Sequence, residues 1–222
     1  MSGKSTPMNI VISGTARGIG RAIAERFLAA GDKVFGFDLN DCDIAHPSYR
    51  HFIHDIRSGE PLDLPEAHIL INNAGTLEES EALSVNLEGN IRFTERFIDS
   101  SILRSVLFIA SASARNGAEF PYYAASKAGI VGYMKNLALR LAERGVTVNS
   151  ISPGGVITES NAHILKSEQM YSAVLNETLL GKWAEPEEIA EFAYFIAKIN
   201  RSMTGEDILI DNGEMLKSNF IW

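Results

Sequence analysis

The 222-residue sequence predicts an α/β fold: a doubly wound parallel sheet of about seven strands with helices on both faces. Short apolar runs alternate along the chain with longer segments of helical period. These runs are apolar throughout rather than at every second residue. That is the pattern of strands buried on both faces, and hence of a parallel sheet. Most of the runs also end abruptly in glycine or polar residues, and ligands of such sheets bind beyond the carboxyl ends of the strands.

The first run, NIVISG (9–14), is a buried strand ending in glycine. GRAIAERFLAAG (20–31) comes next, with Ile23, Phe27 and Leu28 at helical spacing and Gly31 as a stop. KVFGFD (33–38) and RHFIHD (50–55) read as the second and third strands, and HILINNAG (68–75) as the fourth. Residues 80–102 carry a long helical pattern, SVLFIAS (105–111) is a fifth strand, and 122–143 form a second long helix. VTVNSISPGG (146–155) is a sixth strand running into a loop, and 156–182 are the hardest stretch to assign. EPEEIAEFAYFIAKI (185–199) is a helix with proline near its start, and DILIDNG (207–213) is the last strand. No repeat or linker interrupts the pattern, so residues 8–222 are expected to form one domain and 1–7 a disordered leader. Gly14, Asp38, Asp55, Asn73, Ser111 and Pro153, all at strand ends, should then surround a common cleft.

Composition excludes several classes. No apolar run approaches the roughly 18–20 residues that cross a bilayer. The first ten residues lack the apolar core of a signal peptide. One cysteine, Cys42, rules out an internal disulfide and fits a reducing cytoplasm. A net charge of −8 argues against nucleic acid or anionic membranes as partners. SGKST near the start looks like the tail of a phosphate-binding loop but has neither the first glycine nor a preceding strand. His46, His51, His54 and His68 crowd one region. A strand would turn His51 and His54 to opposite faces, so they read as surface histidines and no metal is expected.

SGTARGIG (13–20) joins a strand to a helix, with glycines at Gly14, Gly18 and Gly20. Backbone without Cβ can turn sharply and approach a pyrophosphate, while the helix start offers N–H groups and partial positive charge. Asp38, at the end of the second strand, can accept both hydroxyls of an adenosine ribose and would repel a 2′-phosphate, which favours NAD over NADP. Arg17 argues the other way if its guanidinium meets a 2′-phosphate; otherwise it is solvated or lies along the pyrophosphate.

PYYAASKAG (121–129) holds two adjacent tyrosines and a lysine. On a helix only Tyr123, four residues before Lys127, shares its face; Tyr122 points elsewhere, toward substrate or packing. A free phenol titrates near pH 10, too high to exchange protons readily at neutrality. A neighbouring ammonium favours phenolate and makes Tyr123 a usable general acid and base. Ser111 and Ser113, after the fifth strand, are both candidates to polarise a substrate oxygen.

The spacing Gly-x-x-x-Gly-x-Gly, with Asn-Asn-Ala-Gly at 72–75 and Tyr-x-x-x-Lys at 123–127, closely resembles the short-chain dehydrogenase/reductase family of the compact, Rossmann-like kind. The resemblance extends from about residue 9 to 213. It implies cofactor contacts from Gly14, Gly18, Ile19 and Gly20, from Asp55 and Ile56 beside the adenine, and from Asn73, Ala74 and Gly75 along the adenosine ribose. In PGGVIT (153–158) it implies a turn at Pro153 and Gly154, with Val156 and Thr158 at the carboxamide. It adds a bond from Lys127 to the nicotinamide ribose, gives Ser111 the catalytic place with Ser113 as the alternative, and gives Asn86 a water that links Lys127 to solvent. Ser111 stands 12 residues before Tyr123, one fewer than the family pattern.

Two departures stand out. Asn72 and Asn86 are only 14 residues apart, roughly half the usual interval, so an extra helix is missing and the cleft edge should be more open. DNG (211–213) replaces Asp-Gly-Gly. The expected substrate lid, 159–182, carries His163, Met170 and Tyr171 but no cluster of lysine or arginine, which favours a small secondary alcohol or ketone over a polyanionic thioester. The resemblance thus implies a cytoplasmic, NAD-dependent oxidoreductase, a homodimer or homotetramer with long helices paired across a twofold axis. Phe220, Ile221 and Trp222 are expected to pack on a neighbouring subunit. A nucleotide sensor on the same fold is the competing function, although sensing needs neither tyrosine, lysine nor serine. A sugar-nucleotide epimerase would need different glycine spacing and a larger C-terminal part.

Overall fold

The computed structural model describes residues 6–60, 66–118 and 120–217. Phe220, Ile221 and Trp222, like the first five residues, lie outside them. Seven strands form one parallel sheet: β1 (Asn9–Ser13), β2 (Lys33–Asp38), β3 (Tyr49–Ile53), β4 (Ile69–Asn72), β5 (Ser105–Ile109), β6 (Thr147–Pro153) and β7 (Asp207–Ile210). Their order is β3-β2-β1-β4-β5-β6-β7. The winding direction reverses between β1 and β4, the position at which such sheets open a crevice. Seven α-helices accompany the sheet among the described residues: α1 (Gly18–Ala29), α2 (Asn90–Glu95), α3 (Ser113–Asn116), α4 (Pro121–Leu141), α5 (Ala162–Leu165), α6 (Glu168–Leu175) and α7 (Pro186–Tyr194).

Strand alternation divides the core in two. Ile10, Ile12, Ile69, Ile71, Leu107 and Ile109 face one side, against Ile23 and Phe27 of α1 and Ile189 and Ala193 of α7. Val11, Leu70, Val106 and Phe108 face the other, against Phe93 of α2 and Ile130, Met134 and Leu137 of α4. Both faces of each central strand are buried, which is why the runs are unbroken in sequence.

The long helix expected over 80–102 forms only in part and not as regular α-helix: it runs from 82 to 95. Leu83–Gly89 is a π-helical turn, α2 is only six residues long, and the chain then leaves in turns. Side-chain hydrogen bonds explain the interruption. Asn90 Nδ2 donates to the carbonyls of Ala74, Val85 and Asn86, and Ser100 Oγ donates to Ala67 O. Such bonds compete with regular helix. The last helix also widens into a π turn at Phe195–Ile199. There Lys198 meets Asp32 at 2.5 Å, both side chains almost wholly buried. Residues 156–182, left open by the sequence, contain a 3₁₀ turn at Glu159–Asn161 and then the short helices α5 and α6.

Asn212 has a positive φ of 54°, a conformation asparagine tolerates better than other side chains. Its carbonyl accepts the N–H groups of Leu179 and Leu180, fastening the end of the 159–182 segment to the end of β7. The departure from Asp-Gly-Gly therefore keeps the backbone shape that glycine would allow.

Candidate active site

The glycine loop is built by close approach. Gly14 has φ 76°, and a Cβ there would lie 2.7 Å from Asn73 Nδ2 and 2.8 Å from Ala74 Cα. A Cβ on Gly20 would collide with Gly14 O. Asn73 braces the loop from the end of β4: its Nδ2 donates to Ser13 O and Gly14 O, while Ser13 Oγ accepts from the amides of Asn73 and Ala74. No side chain caps the start of α1, so its positive end is presented to the cleft. Arg17, at the cap position, is exposed, and Ile19 is partly buried against the first core cluster. The loop thus offers the cradle and the uncapped helix start that a pyrophosphate requires.

Asp38 stands at the edge of this cradle. One carboxylate oxygen accepts from the amide of Ala16 at 3.0 Å, and the other from the amide and side chain of Asn40. A network that sequence reading missed lies beside it. Thr15 Oγ1 is 2.9 Å from Tyr49 Oη, which is 2.8 Å from His51 Nδ1, and His51 Nε2 is 2.9 Å from Asn40 O. Burial, more than the neighbouring Cys42, pushes the Tyr49 phenol well above its ordinary range, so it stays neutral. Tyr49 and His51 share one face of β3 as second neighbours, but only the folded sheet brings Thr15 and Asn40 to them.

Asp55 is clasped by its neighbour. Arg57 donates to both carboxylate oxygens, and these hydrogen bonds hold the Asp55 carboxyl below the usual carboxylate range. Ile56 turns its side chain into the second core cluster, against Gly89, and leaves only its main chain for the cleft. The histidines are not all at the surface, contrary to the sequence expectation. His54 is 7 % exposed, while His51 and His68 are bound to the fold by hydrogen bonds. Among the described residues no three acidic, histidine or cysteine groups gather as a metal site.

On α4 the two tyrosines diverge. Tyr122 is 56 % exposed, whereas Tyr123 is partly buried on the face of Lys127. Lys127 is buried; its Nζ donates to Ile109 O at 2.9 Å and lies 5.7 Å from the centroid of the Tyr123 ring. A Cβ on Gly75 would sit 3.5 Å from the same nitrogen. The ends of β4 and β5 and the helix α4 therefore converge on one ammonium group. Ser111 and Ser113 are both buried, with their hydroxyls 2.7 Å apart, so the fold joins the two candidates instead of choosing between them.

The side chain of Asn86 is engaged through both its oxygen and its nitrogen. Its Oδ1 accepts from the Thr76 amide, and its Nδ2 donates to Thr76 O and Ser126 Oγ. Oδ1 keeps a second acceptor site, and the Asn86 main-chain carbonyl accepts from Asn90 Nδ2. Across the cleft, Pro153 O accepts from the Ala112 amide and Gly154 N donates to Ile210 O. Gly155 lies against the Trp183 indole, and Val156 is buried and paired with Ala184. The Thr158 methyl approaches Gly18, and beside them an open groove of about 500 Å³ runs between α1, residues 157–166 and the start of α7, lined in part by Arg21, Leu165 and Lys166 and by none of Ser111, Tyr123 and Lys127.

A family model described as enoyl-(acyl carrier protein) reductase matches residues 64–214, two thirds of the chain. This chain is a short-chain dehydrogenase/reductase. The L-rhamnose 1-dehydrogenase (NADP(+)) of Thermoplasma acidophilum is 27% identical over 244 residues, covering 94% of this chain and 96% of its own. The 3-oxoacyl-[acyl-carrier-protein] reductase FabG of Escherichia coli is 27% identical over 239 residues, covering 91% and 95%. Among solved structures, 4-hydroxyisoleucine dehydrogenase complexed with NADH superposes with a TM-score of 0.85 at 27% identity, covering 95% of this chain and all of its own. This short-chain dehydrogenase/reductase is thus an oxidoreductase of the nicotinamide-binding kind, and no helix among its described residues is long and apolar enough to cross a membrane.

Proposed function

We propose that this protein is an NAD(H)-dependent oxidoreductase acting on a small secondary alcohol or ketone. The observation that carries the reading is the buried Lys127 ammonium beside the Tyr123 ring, at the carboxyl edge of the sheet. Gly14, Gly18, Ile19 and Gly20 would hold the pyrophosphate, with Arg17 at its rim. Asp38 would take the adenosine ribose, with Asn73, Ala74 and Gly75 along the path, Asp55 and the main chain of Ile56 at the adenine, and Pro153, Gly154, Val156 and Thr158 at the carboxamide. When bound, the dinucleotide supplies the acceptor or donor of hydride.

The remaining steps belong to this chain. In alcohol oxidation the Tyr123 phenolate removes the hydroxyl proton as the carbinol carbon loses hydride; in ketone reduction the phenol returns that proton to the oxygen. Lys127 favours the phenolate by its charge and reaches the nicotinamide ribose. The hydroxyl pair of Ser111 and Ser113 polarises the substrate oxygen, Ser111 as the donor to substrate and Ser113 as its support. Asn86, through its main chain or side chain, would hold the water that returns protons to Lys127.

NAD is proposed over NADP because Asp38 is the acidic group at the ribose end and would act there at hydrogen-bond range, which outweighs the exposed Arg17 at the rim. The thermoplasmal relative carries NADP(+) in its name, so the preference is a property to be measured on this chain. The substrate is neutral and small because the lid contains no cationic cluster. A cytoplasmic homodimer or homotetramer is proposed from one cysteine and from exposed apolar side chains: Leu139 on α4, and Phe192, Phe195 and Ile199 at the end of the last helix.

Paired titrations with NADH and NADPH, then a panel of sugars, cyclic alcohols and diketones with the better cofactor, test the proposal. Tyr123→Phe should abolish turnover and keep NADH affinity, while Tyr122→Phe keeps most of the activity. Equal activity in the two variants would remove Tyr123 from its role.

A further inference from the structure

The helix that carries Tyr123 and Lys127 begins without a side-chain cap of its own: Phe120, at the cap position, is extended and has no group to offer. Its first N–H groups are instead taken by a residue more than 40 positions earlier in the chain. Glu79 Oε2 accepts from the Tyr122 amide at 3.2 Å, and Glu79 Oε1 accepts from the Tyr123 amide at 3.1 Å. A carboxylate bridging two consecutive amides at a positive helix end is a charge-assisted anchor.

Glu79 reaches this place because of the short 76–85 segment. Asn86 grips Thr76 by both its amide and its carbonyl, and Thr76 Oγ1 accepts from the Glu78 amide. Glu79 comes directly after, partly buried, while Arg57 ties Glu81 from the other side. A chain of contacts therefore runs from Asn86 through Thr76 to Glu79 and ends on the main chain of Tyr123. With an extra helix in this interval, the same residue would have no reason to stop beneath α4.

We infer that Glu79 is a positioning residue, which fixes the first turn of α4 and through it the phenol of Tyr123. The inference rests on the reading of Tyr123 as the proton-transferring group. It also gives the shortened segment a role. The bonds that would otherwise fall to a cap beside the helix come from the far side of the cleft.

The test compares Glu79→Ala with Glu79→Gln, which keeps the reach and one acceptor oxygen. Turnover is measured with NADH and 2,3-butanedione or the best substrate of the panel, and amide hydrogen exchange of the NADH complex is followed at Tyr122 and Tyr123. Glu79→Ala should lower kcat about tenfold, with KM and the NADH Kd within about twofold, because misplacing a reacting group costs rate more than binding. The same variant should speed exchange at the two amides, and Glu79→Gln, which keeps one of the two acceptor oxygens, should fall between alanine and wild type in both. Unchanged kcat in Glu79→Ala overturns the inference, as does unchanged exchange, or a glutamine variant no better than alanine. A wild-type enzyme that binds NADH but reduces no probe counts against the oxidoreductase reading, and the exchange data then still decide whether Glu79 holds the helix.

Discussion

At the scale of the residue, the spacing of Tyr123 and Lys127 was legible because a helix puts fourth neighbours on one face whatever surrounds it. The structure adds what spacing does not contain: Lys127 is buried, and its ammonium donates to the Ile109 carbonyl at the end of β5. Lys127→Met should lower kcat by about two orders of magnitude, since the charge that favours phenolate is lost, and should weaken NADH binding. Steady-state kinetics beside fluorescence titration of NADH measure the two effects separately. Asp38→Ala should weaken NADH binding and improve NADPH binding, which reverses or levels their ratio; an unchanged ratio of the two dissociation constants would remove Asp38 as the discriminator. The roles of Ser111 and Ser113 could not be separated by position, because the turn into α3 brings both hydroxyls into one short contact. His51 read only as a surface histidine and Tyr49 not at all, because the partners that draw them to Asp38 come from the loop after β1 and from the loop after β2.

Among the elements, strands read well and long helices less so. A buried parallel strand needs an apolar run and little else. A helical period survives in sequence even where side chains interrupt the helix, and so 80–102 read as continuous although Asn90 and Ser100 divert the backbone. The short helix α2 is held to α4 by Glu95, which accepts two bonds from Arg140 and one from the Tyr133 hydroxyl. The Arg140 guanidinium holds the Glu95 carboxyl below its ordinary value. A depressed carboxyl contributes stability that is present above the unfolded value, near 4.5, and is lost as pH falls through the folded one. Because Glu95 is more than a third exposed, screening keeps this contribution to about 1 kcal/mol or less. Glu95→Gln should therefore lower Tm by roughly 2–4 °C at pH 7, and the difference from wild type should shrink as pH falls below 4.5. Thermal melts at several pH values read this directly; a difference that grows toward acid would contradict the assignment.

For the whole molecule, the two core clusters are joined around the sheet, and the side bearing α1 and α7 contains a buried ion pair. Asp32 lies at the turn between α1 and β2, and Lys198 on the final π turn, 166 residues later. Removing one partner leaves a buried charge, so Asp32→Ala should cost about 3–5 kcal/mol in denaturant unfolding. Replacing both with apolar residues of similar size should recover much of that loss. Nothing in the sequence pairs these two residues, since each reads alone as a solvated surface charge.

Periodicity and near neighbours were enough to specify the parallel sheet, the glycine loop, and the tyrosine and lysine on one helix face. Each of these depends on residues only a few positions apart, and local geometry is the same in any context. The folded chain, by contrast, selected the carboxylate that anchors α4, the hydroxyl that meets Tyr49, the points where helices widen into π turns, and the charges that are buried together. Most of those contacts join residues tens of positions apart or more, and a distance in space between distant residues has no period for a sequence to display.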